Sequence, residues 1–426
     1  MKSNEAFLKA LLGLVAIDSV ALVDVSEAAP YGAGPAKALD YVMNLCRELG
    51  IRTFNDNNKI AWAEIGEGDE IVGILGHLDI VPVGGGWEHD PKGEICDGRL
   101  YGRGVVDDKG PTLAALFAMK ELQDAGVPLN RRVRLIFGQC EEVGDWEDMN
   151  YYKEHYQLPV FGFTPDADFP AIYGEKGILN FDLTASLKGG DIVSIEGGDA
   201  SNMVAAWCRC TYRTESGEEK TLETRGHNAH ASTPEKGENA ISKMMAELAK
   251  LGVKSPLVNF YQQHIGFDLN GGKMGCGLED VQSGKLTMNA GVLRTNGSQV
   301  TLTLDIRNPV TFGREDVEQP ILSACAPYGI ACECTESLDS IYMDKNGKVV
   351  QAMVEVYASV TGDAAEPTVI GGGTYARAMP GIVAFGPMQP DRECTEHQPN
   401  EYILLEDLFA AKEIYRQTIE KLANLE

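Results

Sequence analysis

Cationic side chains are scarce in this 426-residue chain. Thirty-seven Lys and Arg stand against 63 Asp and Glu, for a formal net charge of −26. A surface this acidic repels phosphate backbones and anionic lipid, which argues against nucleic-acid binding and against basic membrane attachment. Long apolar runs are also missing: no uncharged apolar window reaches the roughly 18 residues of a membrane span. The N-terminus has too little positive charge for a signal peptide and carries Glu5. Phe7, Leu8, Leu11, Leu12, Leu14 and Val15 instead recur at helical spacing. Ten cysteines are dilute in a chain this long, and none stands in a CxxC pair. The nearest neighbours, Cys208 with Cys210 and Cys332 with Cys334, read as reduced thiols in a reducing compartment. The expectation is a cytoplasmic protein. No Gly-Lys-Ser or Gly-Lys-Thr follows a glycine-rich stretch, so a phosphate cradle is not expected.

What is present is alternation. At about 150 residues per domain the length suggests two or three domains. Ile71 to Gly76 is a short apolar run of the kind buried on both faces of a parallel sheet. Pro111 to Ala125 reads as a helix, Val133 to Phe137 as a strand, and a further strand begins near Ala171. Ile382 to Phe385 is strand-like again, and Leu404 to Leu422 is a long amphipathic helix. Such alternation predicts an α/β/α layer sandwich. The middle differs: a strand over Glu218–Thr224, a helix over Glu238–Leu251, a hairpin of Leu286–Leu293 and Val300–Ile306 around Thr295–Ser298, a helix near Val317–Ala326 and a strand near Ile330–Cys334. That β-α-β-β-α-β order predicts an inserted ferredoxin-like α+β module. The expected domains are 1–184, the first segment of the sandwich; 185–342, the inserted module; and 343–426, the second segment of the sandwich.

Chemistry-bearing residues collect at the predicted strand ends, where open α/β sheets place their sites. His77 and Asp79 close the first buried strand, two apart and so on one side of an extended chain. Asp107-Asp108 sits in a Gly-flanked turn before a helix, Glu141-Glu142 follows the Val133 strand, Asp166 precedes another strand, and His397 lies in the loop before the last helix. Each alone has an ordinary structural explanation, such as a helix cap or a solvated surface acid. Together they are two imidazoles and at least three carboxylates on the edge of one sheet. Imidazole and carboxylate ligands without thiolates suit zinc, manganese or cobalt rather than a structural zinc knot. A set with a doubled acid fits two ions sharing a bridging carboxylate and a bridging water.

The runs GHLDIVPVGGGWEHDP, YGRGVVDDKGP, CEEVGDW, TPDADFPAIYGEKG, GHNAHASTPEKGENA, GGGTYARAMPGIVAFG and EHQPNEYI stand in this order along the chain. In them the sequence resembles the co-catalytic zinc peptidases related to aminoacylase and carnosinase, and within these the PepV-type dipeptidases, from about residue 60 to the C-terminus. The resemblance implies that His77 and Asp166 bind one metal, Glu142 and His397 the other, and that Asp107 bridges them. It implies Asp79 as the partner that orients His77, Glu141 as general base, and a cis peptide bond at Asp107–Asp108. It implies further that His230 donates to the oxyanion, and that Asn202, Arg307, Gly372, Gly373 and Thr374 hold substrate; the planar fork of Arg307 suits a carboxylate. The sequence departs from the family at Cys140, where Asp often stands, and at Ala205, where Pro often follows Met-Val.

The function implied is hydrolysis of dipeptides with a free N-terminus by a monomer holding two divalent ions, Zn2+ first and Mn2+ or Co2+ as substitutes. An N-acyl- or N-succinyl-amino acid amidohydrolase would use the same metal site. A non-catalytic peptide- or metal-binding homologue should have lost the base or a ligand, and none is lost.

Overall fold

The computed structural model describes residues 2–144 and 146–426. Asp145, within the Cys140–Trp146 run, lies outside the described residues. The chain divides into two compact units: Met1–Tyr173 with Met343–Thr368 and Gly373–Glu426, and Gly174–Tyr342 with Val369–Gly372.

In the first unit, strand Ile71–His77 is buried at every position because it pairs in parallel on both sides, with Arg132–Gly138 and with Phe161–Thr164. Beyond Arg132–Gly138 lie the antiparallel strands Ile60–Ile65 and Arg52–Asp56; beyond Phe161–Thr164 lies Ile382–Ala384, and Ile172 follows. Helices cover both faces. A Cβ at Gly76 would strike the Thr112 hydroxyl, which places helix Lys109–Asp124 on that face. Helix Leu405–Ala423 joins it there, with Tyr415 stacked 5.4 Å from Phe163, and helix Lys2–Val15 docks on top through Phe7, 5.2 Å from Phe117. On the other face a Cβ at Gly138 would strike Tyr375, and Tyr375 bonds Asp148 of helix Glu147–His155. The unit is an α/β/α sandwich, and the carboxyl ends of its parallel strands open at one edge. Among the described helices none is long and apolar enough to cross a membrane, and all ten cysteines are free thiols.

The second unit is a seven-stranded antiparallel sheet in the order Glu219–Arg225, Trp207–Arg213, Ile192–Gly197, Thr287–Asn296, Gln299–Asn308, Gly177–Ser186, Ala331–Leu338. Helices Ala240–Lys250, Pro256–His264 and Arg314–Cys325 pack against one face of it. Leu179, Phe181 and Leu183 point into that core opposite Ile306, Leu304 and Leu302. The ferredoxin-like module is present, but its first strand is Gly177–Ser186. The Glu219–Arg225 strand lies instead at the far sheet edge, the end of a three-strand extension that sequence patterning did not predict. The unit accordingly starts at Gly174, ahead of the expected 185, because a break at 185 would cut this strand. The hairpin turns on Gly297-Ser298, with Gly297 left-handed (φ 59°) and Asn296 paired to Gln299 at the end of the ladder. Phe181→Ala, which leaves a large void under three helices, is expected to cost about 3–5 kcal/mol in urea unfolding.

Candidate metal centre

His77 ends its strand with the ring fully buried. Its Nδ1 lies 3.1 Å from the Asp79 carbonyl oxygen and 3.4 Å from Asp79 Oδ1. Nε2 therefore faces outward from the sheet edge, 2.9 Å from Asp107 Oδ1 and 3.9 Å from Asp166 Oδ2. His397 reaches the same carboxylate from the other side: its Nε2 is 2.9 Å from Asp107 Oδ2 and 3.2 Å from Glu142 Oε2. The two oxygens of Asp107 thus serve two imidazoles. Two ligand-like groups result, His77–Asp107–Asp166 and Asp107–Glu142–His397, with the donor atoms of each within 4.8 Å of one another.

Asp79 does more than orient His77. Its Oδ1 and Oδ2 accept the backbone N–H of Glu141 (3.2 Å) and of Glu142 (3.0 Å), so one buried carboxylate fixes both the imidazole and the glutamate pair. The backbone of His77 is held by Asp108, whose Oδ2 accepts its N–H (3.1 Å) and the Thr112 hydroxyl (2.8 Å). The Asp107–Asp108 peptide bond is cis. Behind the glutamates, Asp148 accepts the N–H of Gln139 (2.6 Å) and the hydroxyl of Tyr375 (2.8 Å). Cys140 is buried beside this network, and burial pushes its thiol well up.

The electrostatics follow from crowding acids out of water. Burial raises the carboxyls of Glu141, Glu142 and Asp166 above the ordinary range, and neighbouring acids add to it, Asp107 among them in each case. Burial also opposes ionisation of Asp107, but the flanking His397 and His77 outweigh it and hold that carboxyl below its usual value. Asp107 and Glu142 raise His397 to about 11. His77 is raised too: burial works against the imidazolium, and Asp107 and Asp79 overcome it. These residues fit a metal. The buried Glu142 Oε1 has no hydrogen-bond partner among the described residues, and the donor set is imidazole and carboxylate only.

The remaining expected site residues divide between the units. In the second, His230 Nδ1 is 2.7 Å from the Ser232 hydroxyl, and the Asn202 carbonyl accepts Ala231 N–H (2.8 Å). Gly371 packs so closely on Ser232 that a Cβ would lie 2.7 Å from it. Arg307 is buried, and its fork is taken within the chain: Nε and Nη2 donate to the two Asp305 oxygens (2.7 Å each) and Nη1 to the Gly371 carbonyl (2.9 Å). Three of its five N–H groups are thereby used, which leaves two for another acceptor. The spacing Asp305-Ile-Arg307 puts both side chains on one side of a strand. In the first unit the Thr374 hydroxyl accepts Ala376 N–H (3.1 Å) and caps the turn Tyr375–Ala378, while Gly373 precedes it.

Comparison with known proteins places these features. Residues 73–421 match the model of peptidase family M20/M25/M40. Two bacterial proteins that bear the name “putative dipeptidase” are similar over nearly their whole length. The one from Staphylococcus haemolyticus is 34% identical, covering 96% of this chain and 95% of its own. The one from Bacillus subtilis is 35% identical, covering 92% of each. Among solved structures, human carnosine dipeptidase 1 has the same fold at a TM-score of 0.61 and 16% identity, covering 99% of this chain and 97% of its own. So does a dinuclear metal-binding peptidase from Bacillus subtilis, at 0.57 and 12%, covering 99% and 100%.

In chelator-treated protein, Glu141, Glu142, Asp166, His77 and His397 all hold protons to higher pH folded than unfolded. Each then contributes stability that is present below its unfolded pKa, about 4 for the acids and about 6.5 for the imidazoles. That stability is lost as pH rises through the folded value, about 11 for His397. Asp107 has the opposite sign, and its contribution is lost as pH falls below about 4. The expected outcome in thermal unfolding is a Tm that falls between about pH 5 and 8, with added Mn2+ raising Tm more at the upper end. A Tm that climbs across that window without metal contradicts this assignment of charges.

Proposed function

The chain belongs to the M20/M25/M40 peptidase family, and we propose that within it the chain is a dinuclear metal-dependent dipeptidase. The observation that carries the reading is Asp107, with each of its two oxygens 2.9 Å from a different imidazole. His77 and Asp166 would hold one ion and His397 and Glu142 the other, with Asp107 available to both. When bound, such a pair supplies Lewis-acid polarisation of the scissile carbonyl and makes water at the site more acidic.

The chain's own residues do the rest. Asp79 occupies Nδ1 of His77 and keeps Nε2 turned to the ligand side. Glu141 accepts a proton from the attacking water at a carboxylate oxygen and returns it to the leaving amine nitrogen. Burial, with Asp166, Glu142 and Asp107 nearby, raises its carboxyl and so strengthens it as a proton acceptor. His230 donates to the oxyanion of the tetrahedral species, with its ring steadied by Ser232. Asn202 and the backbone of Gly372, Gly373 and Thr374 hold the substrate's ends. Arg307 contributes through Gly371, whose carbonyl it fixes beside Ser232. Finer points of the same reading are Zn2+ as resident ion with Mn2+ or Co2+ as substitutes, a cytoplasmic setting consistent with ten free thiols, and a monomeric state.

The test is a turnover screen of free dipeptides against N-acetyl and N-succinyl amino acids with Zn2+ or Mn2+. Hydrolysis of dipeptides is expected, and preference for the blocked amines overturns the assignment in favour of an amidohydrolase. Glu141→Ala should lower kcat about 100- to 10,000-fold while leaving bound metal unchanged. His230→Ala should cost about 100- to 1,000-fold, again with metal retained. Near-native kcat in either variant removes that residue from the mechanism.

A further inference from the structure

The loop that carries Asp107 has no regular secondary structure between Gly102 and Asp108, so something else must fix it. Glu401, fully buried and four residues after His397, does so with four bonds. Its Oε1 accepts the N–H of Gly104 and of Val106 (3.0 Å each), its Oε2 accepts Arg103 Nη1 (2.6 Å), and its carbonyl accepts Gly102 N–H (3.0 Å). The clasped run ends one residue before Asp107. Arg103 is itself buried, with its guanidinium 5.4 Å over the Trp87 ring. The neighbouring Asn400 extends the clasp: its Oδ1 accepts the N–H of Glu88 (2.7 Å) and of His89 (3.1 Å). Gly104 has φ 89°, and a Cβ there would crowd Ile80 and Lys109, so the loop is both left-handed and tightly seated at that point. A buried carboxylate is costly unless it is hydrogen-bonded and paired, and here two amides and a guanidinium offset that cost.

We propose that Glu401 is a positioning residue for the metal centre: it sets the distance between Asp107 and His397 by tying the backbone ahead of the first to the backbone behind the second. The proposal rests on the reading of Asp107 as the shared ligand. A carboxylate that must serve two imidazoles from opposite oxygens tolerates little displacement, because moving toward one partner is moving away from the other. Two loops far apart in sequence supply Asp107 and His397, and Glu401 is where those loops are joined.

Full-length protein stripped with chelator and titrated calorimetrically with Mn2+ tests this, with Glu64→Ala as control. Glu64 is a partly buried acid of the same unit whose ion-pair partners are Arg52, Arg132 and Arg134. Glu401→Ala is expected to weaken Mn2+ binding about 10- to 100-fold, the usual size for groups that orient ligands. Glu401→Gln keeps an oxygen for the two amides but turns an NH2 toward Arg103, and should weaken binding several-fold. Glu64→Ala should lower Tm and leave Mn2+ affinity at the wild-type value. Wild-type affinity in Glu401→Ala, or an equal loss in Glu64→Ala, overturns the proposal. If circular dichroism shows Glu401→Ala unfolded, Glu401→Gln decides, and unchanged binding there overturns it. Failure of the wild-type protein to take up two equivalents of Mn2+ overturns the dinuclear reading itself and the proposal with it.

Discussion

A single carboxylate between two imidazoles is the constraint from which the rest of the first unit can be understood. Asp107 is held at 2.9 Å by His77 and by His397, and Asp166, Glu141 and Glu142 crowd the same strand edge. Gathering acids this way is unfavourable: burial and mutual repulsion raise three of the carboxyls. The sandwich tolerates the concentration because rigid parallel strands deliver His77 and the glutamate pair to one edge from a core that is otherwise apolar. Backbone amides then absorb part of the charge. Asp79 receives two of them, Asp108 one, Asp148 two and Glu401 two. Dications offset what remains, and this is the sense in which the acidic composition and the site are connected.

Much of this was legible because it is local. An all-apolar run ending in His-Leu-Asp declares a buried strand with a site at its mouth, and the strand is buried at all seven positions. The doubled acids and His397 stand out because they occur at strand and helix ends, where solvated surface acids have no need to cluster. The helix expected over Pro111–Ala125 is observed as Lys109–Asp124, and that over Leu404–Leu422 as Leu405–Ala423.

The misses are those where the partner lies far along the chain. Nothing near Glu401 reveals that its carboxylate will meet Arg103 and two amides some 295 residues earlier. The Gly177–Ser186 strand alternates cleanly on one face, yet it sits close behind another strand, Ile172–Glu175, and a division drawn from the order of predicted elements began the second unit at 185, inside it. Pairing register, which is a long-range property, was the missing information.

The order in which the chain is made gives the inserted arrangement a temporal meaning. Strand Ile382–Ala384 lies inside the first unit's sheet, against Phe161–Thr164, so that sheet stays incomplete until residues beyond the inserted unit have emerged from the ribosome. The Gly174–Tyr342 segment holds almost all of its own strands, and domains generally fold as units during synthesis. His397 and Glu401 follow later still. The two imidazoles that flank Asp107 therefore meet only after the whole inserted unit has been made.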